Sequence, residues 1–284
     1  MKINVINTGK FKLDGGAMFG VVPKTIWSKT NPADENNMCS WAMRCLLIES
    51  EDRKILIDTG IGNKQSEKFF QYFYLHGDEN LIESLKTHNI HPDDITHVFF
   101  THLHFDHCGG AIKKKESKND QDDILELVFK NAFHLTNEQH WDLANNPNKR
   151  ERASFLKENF NLIAIQEKLQ FINEGELFPN IQVRFFHGHT TAQMLPFISI
   201  NNKTLVFMAD LLPSIGHIPL PYVMGYDTQP LITLQEKKIF LEEAAHKNYI
   251  LFLEHDYDYE CCTVKKTEKG IRLNKYGKLE DFLF

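Results

Sequence analysis

The chain is short of the residues that would point away from an ordinary globular protein. Proline numbers 10 and glycine 15 among 284 residues. Both fall below the usual ~5% and ~7%, which excludes a collagen-like or Pro/Gly-rich low-complexity protein. Cysteine is scarce and odd in number: Cys39, Cys45, Cys108, Cys261 and Cys262. No CxxC pair occurs, so neither a disulfide framework nor a thiolate-bound zinc is indicated. The lack of a disulfide pattern fits a reducing compartment, and the expected location is the cytoplasm. No apolar run approaches the roughly 20 residues that span a bilayer. The first twenty residues, MKINVINTGKFKLDGGAMFG, contain no unbroken apolar core of signal-peptide type. Nor is there an excess of positive charge. The formal charge is −6, which gives a phosphate backbone nothing to hold, so nucleic acid and membrane are not expected partners.

What remains is ample core material. The chain is 42% hydrophobic and carries 22 phenylalanines. The pattern mixes β-prone hairpins with amphipathic helices. RCLLIES and KILIDTG read as paired buried strands, THVFFTH as a short strand, and ISI-NN-KTLVFMAD as a second hairpin. Asn80 to Asn89 reads as a helix with Leu81, Ile82 and Leu85 on one face. Thr136 with Gln139, and Thr233 with Glu236, resemble capping boxes opening two more helices. Arg150 to Leu169 reads as mostly helical, and Lys113 to Asp123 as an exposed charged excursion. With no linker dividing the chain, residues 1–284 are expected to form one α/β domain.

The chemistry gathers in THLHFDHCGG, Thr101 to Gly110. His102, His104, Asp106 and His107 crowd one short loop just after a predicted strand. His189, Asp210 and His255 each stand just past the end of another strand. Strand ends along one sheet edge can converge, and such edges commonly carry sites. Imidazole and carboxylate donors suit zinc, manganese, iron or cobalt. Seven are too many for one tetrahedral ion and the right number for two ions sharing a carboxylate. A water between two cations about 3.5–4 Å apart loses a proton readily.

These motifs carry a resemblance. THLHFDHCGG resembles the signature of the metallo-β-lactamase-fold hydrolases. LIDTG at Leu56–Gly60, FHGHT at Phe186–Thr190, MAD at Met208–Asp210 and LEHD at Leu253–Asp256 are similar to the other motifs of that family. The set is most like the group containing methyl parathion hydrolase and the acyl-homoserine-lactone lactonases. The resemblance implies a four-layer αββα sandwich of the metallo-β-lactamase type. It implies two divalent ions, zinc foremost: one on His102, His104 and His189, the other on Asp106, His107 and His255, with Asp210 bridging. Asp106 and Asp210 are then the catalytic carboxylates, and Asp58 orients the metal loop from behind. A metal-bridging hydroxide would cleave a small ester, lactone or phosphoester. The alternatives are a metal-binding sensor of the same fold with little turnover, and a lactonase of quorum-sensing signals. The lactonases of the group place a tyrosine three residues past the bridging aspartate, where this chain has Pro213.

Weaker candidates surround the motifs. His187 stands where the family pattern has proline and is expected to support rather than ligate. Cys108 is expected to be a small filler. Gly109 and Gly110 are expected to let the following helix approach closely. His217, Tyr222 and Tyr226, in the proline-containing segment after Asp210, are pocket candidates for a small-molecule substrate. The apolar stretch LLPSIGHIPLPYVM would serve a homodimer contact as readily as a pocket wall. The remaining histidines, His140 among them, are expected to be structural or exposed.

Overall fold

The structure, a computed structural model, describes residues 1–115 and 124–283. Most of the charged excursion expected at 113–123 lies outside the described residues. Two compact units are present: Met1–Lys10 with Met43–Ile172, and Phe11–Ala42 with Asn173–Phe284.

The first unit is organised by a six-stranded sheet. Its strands are β1 (Lys2–Asp14), β2 (Met38–Glu49), β3 (Lys54–Ile57), β4 (His97–Phe99), β7 (Phe133–Thr136) and β8 (Leu169–Phe171), in that order. The final residues of β1 and the first of β2 belong to the second unit. Strands β5 (Ile112–Lys114) and β6 (Leu125–Leu127) form a small ribbon. The hairpin read from RCLLIES and KILIDTG is β2 against β3, with Leu46 opposite Ile57. Residues 43–48 of β2 are buried without alternation, the signature of a strand covered on both faces. Strands β3, β4, β7 and β8 pair in parallel. The parallel pairing brings the C-terminal ends of β3, β4 and β7 to one edge. Asp58, Thr101 and Asn137 follow those ends. Behind the edge lies the core, with Ile6, Leu47, Leu56, Leu85, Val98 and Phe129 in one buried cluster.

Two expectations for this unit are corrected. The helix Glu138–Asn145 is capped by Asn137, whose side chain accepts the His140 N–H at 2.8 Å. Thr136 instead ends strand β7 and is buried there. The stretch from Arg150 to Leu169 is helical only in short, separate pieces and not as one helix. It comprises the 3₁₀ turns Arg152–Ser154 and Lys157–Asn159, the short helix Asn161–Ile165, and the start of β8. Phe155 and Phe160 are both buried. Five residues apart on one helix they would point about 140° from each other, so the breaks allow both to reach the core.

The second unit carries a seven-stranded sheet. Its strands are β9 (Gly175–Phe178), β10 (Ile181–Phe186), β11 (Gln193–Ile200), β12 (Lys203–Phe207), β13 (Ile250–Phe252), β14 (Cys261–Thr267) and β15 (Gly270–Gly277). The β11–β12 hairpin turns through Asn201 and Asn202, whose φ angles of 51° and 60° suit a two-residue turn with asparagine at both positions. Strands β12 and β13 are parallel, with Phe207 beside Phe252. Asp210 and His255 therefore leave the same edge, each three residues past its strand.

The helix Pro230–Lys247 begins a turn before the expected Thr233–Glu236 box. Gln229 is its N-cap, and Pro230 opens it with the φ that a first turn needs. Thr233 lies buried within the helix. The helix ends at Lys247, closed by Asn248 in the left-handed conformation. No helix among the described residues is long and apolar enough to cross a membrane.

Candidate metal centre

In the first unit the loop after β4 is tied to the loop after β3. Asp58 is the knot. Its Oδ1 accepts the Thr101 N–H at 2.8 Å and its Oδ2 accepts the Thr101 hydroxyl at 2.6 Å. The same Oδ2 meets His107 Nδ1 at 3.0 Å. Asp58 adopts φ 57°, a left-handed backbone that aspartate enters more readily than most residues. Gly109 and Gly110 answer to this packing and not to a helix approach. A Cβ on either would fall 2.1 Å from a carbonyl oxygen, that of Ile61 or Thr59.

These bonds decide which nitrogens face outward. The Thr101 hydroxyl donates to Asp58, so its lone pair accepts His102 Nδ1–H, 3.1 Å away. His102 is left with a bare Nε2, and His107 likewise. His102 Nε2 lies 3.0 Å from His104 Nδ1. Two nitrogen donors on one tetrahedral zinc stand about 3.3 Å apart, given Zn–N near 2.0–2.1 Å. A proton on His104 Nδ1 makes this contact an N–H···N hydrogen bond, and with that proton gone the two lone pairs converge as two donors to one ion would. Asp106 Oδ2 lies 3.8 Å from His107 Nε2. His140, expected to be structural, holds the loop from below by accepting the Leu103 N–H at 2.8 Å. Phe155 packs on the His104 ring at 4.8 Å.

In the second unit Asp210 takes two imidazoles. Its Oδ2 lies 3.0 Å from His189 Nε2 and its Oδ1 lies 3.1 Å from His255 Nε2. Each imidazole is oriented through its other nitrogen. His189 Nδ1 donates to Asp227 at 2.8 Å, and His255 Nδ1 donates to the Ala42 carbonyl at 2.8 Å. Ala209, with φ 41°, turns the chain sharply ahead of Asp210, whose N–H is caught by Gln193 Oε1 at 3.2 Å. Burial disfavours a charged His189, but the carboxylates of Asp210 and Asp227 outweigh it and hold its pKa up at about 10.

Of the weaker candidates, His187 is half-buried, and its Nδ1 accepts the Ala192 N–H at 3.2 Å. Cys108 is fully buried, and burial pushes its thiol up to about 12, which suits a filler. His217 is buried with both ring nitrogens engaged, Nδ1 by Ser214 Oγ at 2.8 Å and Nε2 by the Met18 carbonyl at 2.9 Å. It stacks on Phe19 at 4.4 Å. Tyr222 is half-buried and Tyr226 is 40% exposed. Lys237 pins their loop by donating to the carbonyls of His217, Pro219 and Tyr222 at 2.9, 3.2 and 2.7 Å. Leu211, Leu212, Ile218 and Met224 of that loop are buried.

One feature beside the metal loop has no motif to announce it. Phe105, between His104 and Asp106, packs against Phe73 at 4.8 Å and Phe69 at 5.4 Å. The three rings form an aromatic wall in the first unit. Its only signal in sequence is the density of aromatics in KFFQYFY.

A family profile described as the metallo-beta-lactamase superfamily matches residues 44–255, a span that contains all seven candidate ligands. The chain belongs to the metallo-β-lactamase superfamily. It is a metal-dependent hydrolase with the mixed α/β sheets of that fold, in agreement with the αββα expectation, and its histidine and aspartate clusters fit two divalent ions of zinc type. A solved structure of a probable metal-dependent hydrolase from Staphylococcus aureus is similar with a TM-score of 0.87 at 30% identity, covering 97% of this chain and 96% of that one. The dizinc quorum-quenching lactonase AidC, solved with a product, is similar with a TM-score of 0.77 at 22% identity, covering 96% and 93%. The N-acyl homoserine lactonase AiiA of Bacillus thuringiensis subsp. kurstaki is 24% identical over 249 residues, 82% of this chain and 87% of that protein.

Proposed function

We propose that this hydrolase opens the ester bond of lactones bearing an apolar acyl tail. The single observation that carries the reading is Asp210, which offers one oxygen to His189 and the other to His255. A carboxylate with an imidazole on each oxygen has the form of a bridge between two ions. In this reading His102, His104 and His189 hold one ion, and Asp106, His107 and His255 hold the other. Two divalent ions at such donors supply Lewis acidity and lower the pKa of a bound water to about 7.

The chain's own groups do the rest. Asp58, Asp227, Thr101 and the Ala42 carbonyl fix the orientation of the imidazole rings from behind. Asp106 Oδ2 is the group we assign to carry a proton from the attacking water to the leaving alkoxide. Phe69, Phe73 and Phe105 offer the tail an apolar surface and exclude water from it. The names of AiiA and AidC support a lactone as the substrate class. Pro213 supplies no hydroxyl at the position where lactonases of the group have tyrosine, so this chain must orient the lactone ring by other donors. We also place the enzyme in the cytoplasm, in keeping with its five buried cysteines, none of them joined in a disulfide.

The test is a substrate panel with zinc-loaded protein: butanoyl, hexanoyl and decanoyl homoserine lactones, p-nitrophenyl acetate and paraoxon. The reading expects kcat/KM to favour the lactones and to rise up to about fourfold per added methylene, the equivalent of about 0.8 kcal/mol. Preference for paraoxon, or indifference to tail length, would overturn it.

A further inference from the structure

The helix Pro230–Lys247 is the backing of the His189 loop. Gln229 N–H donates to the Gly188 carbonyl at 2.9 Å, and the Gln229 side chain donates to the His187 carbonyl at 3.0 Å. Thr228 donates to the His189 carbonyl through its N–H at 3.0 Å and its hydroxyl at 3.1 Å. Two backbone donors of the loop, His187 N–H and Gly188 N–H, go to one side chain. Glu236 Oε1 accepts the first at 2.7 Å and Oε2 accepts the second at 3.0 Å. Gly188 is pressed so closely on the helix that a Cβ would fall 2.3 Å from Thr233 N.

We propose that Glu236 is a positioning residue for His189, acting through the His187–Gly188 backbone to aim the His189 ring. The inference rests on the reading of His189 as a metal ligand. The reason is geometric. Two adjacent N–H groups converge on one group, and only a carboxylate offers an acceptor to each. Its motif suggests a cap for its own helix, yet both oxygens face the loop. Asp227 fixes the ring by its Nδ1, and Glu236 fixes the backbone from which the ring hangs. The pair therefore restrains His189 at both ends.

The test compares the full chain with Glu236→Gln, Glu236→Asp and, as an exposed control on the same helix, Glu242→Gln. Glutamine keeps one acceptor and turns an NH₂ towards the other N–H. Zinc affinities are read by competition with a chromophoric chelator, and melting temperature is read on metal-free protein. Glu236→Gln should weaken one of the two zinc sites about 10–100-fold and leave the other within threefold. Glu236→Asp, one methylene short, should fall between it and the unaltered chain, and serves should the glutamine variant fail to fold. Glu242→Gln should match the unaltered chain. A lower metal-free melting temperature with both zinc affinities unchanged would overturn the proposal and leave Glu236 a purely structural residue. His189→Ala separates the two readings. If it spares both affinities, the ligand assignment fails and this inference falls with it. If it abolishes one site while Glu236→Gln does not weaken it, only the inference fails.

Discussion

Asp227 follows His189 by 38 residues and meets its Nδ1 at 2.8 Å with a buried carboxylate oxygen. This contact sets the tautomer and turns Nε2 towards Asp210. Replacing Asp227 by alanine should weaken zinc binding about 100-fold, and by asparagine, which keeps an acceptor, about 10-fold. Chelator competition on purified protein checks both values. Equal affinities for all three proteins would mean that the contact has no part in metal binding.

Asp58 gathers three hydrogen bonds from Thr101 and His107 in a site closed to water. Asp58→Ala should leave those donors unsatisfied and cost the metal-free fold about 3–5 kcal/mol, the loss seen when one partner of a buried charged cluster is removed. Urea unfolding in the presence of a chelator measures it. A cost below about 1 kcal/mol would mean that Asp58 does not knot the two loops together.

The bridge itself is tested by Asp210→Asn. It should reduce turnover at least about 10²-fold and weaken both ions, while His187→Ala, whose ring receives the Ala192 N–H, should cost far less. Steady-state kinetics with metal analysis compares the two. Equal losses would contradict the assignment of His189 over His187.

Acid should act on the fold through His217. Burial, the largest influence, pushes its pKa down to about 3 from the ordinary 6.5. A neutral ring is therefore part of the folded state, and its stability is fully present above about pH 6.5. Between pH 6.5 and 3 the unfolded chain binds a proton that the folded chain refuses, so stability falls as pH falls. His217→Gln keeps a donor towards the Met18 carbonyl but cannot titrate. It should start less stable and lose less on acidification, so its melting temperature approaches that of the unaltered chain between pH 7 and 4. A gap that stays constant over that range would rule out His217 as the source of the acid sensitivity.

The aromatic wall predicts a specificity effect. Phe73→Ala should flatten the dependence of kcat/KM on acyl length while changing the rate on the shortest lactone by less than about threefold. Unchanged length dependence would remove the wall from the substrate's path.

Much of the candidate site is legible because its signals are short. His102 to His107 sit within six positions, and Asp58, Asp210 and His255 stand just past strands that alternation and turn residues mark. The parallel pairing of β3 with β4, and of β12 with β13, explains why strand ends are the right place to look. The supporting groups are not legible. Asp227 acts on His189 across 38 residues and Ala42 on His255 across 213, the latter through a backbone carbonyl that carries no side-chain signal. His140 looks unremarkable in sequence because its partner is the Leu103 amide. The two capping boxes mislead for one reason: the same residues satisfy donors or cores elsewhere. Thr136 ends a strand, and Glu236 faces the His187 and Gly188 amides. The helical pattern read from Arg150 to Leu169 is broken into short pieces, an arrangement in which both Phe155 and Phe160 are buried.

The central claim is a pair of divalent ions held by five imidazoles and two carboxylates. Elemental analysis of protein purified without chelators tests it most directly. Two equivalents of divalent metal per chain are predicted, falling to one or fewer in His189→Ala. Fewer than one equivalent in the unaltered chain, with none gained on adding zinc, would contradict it.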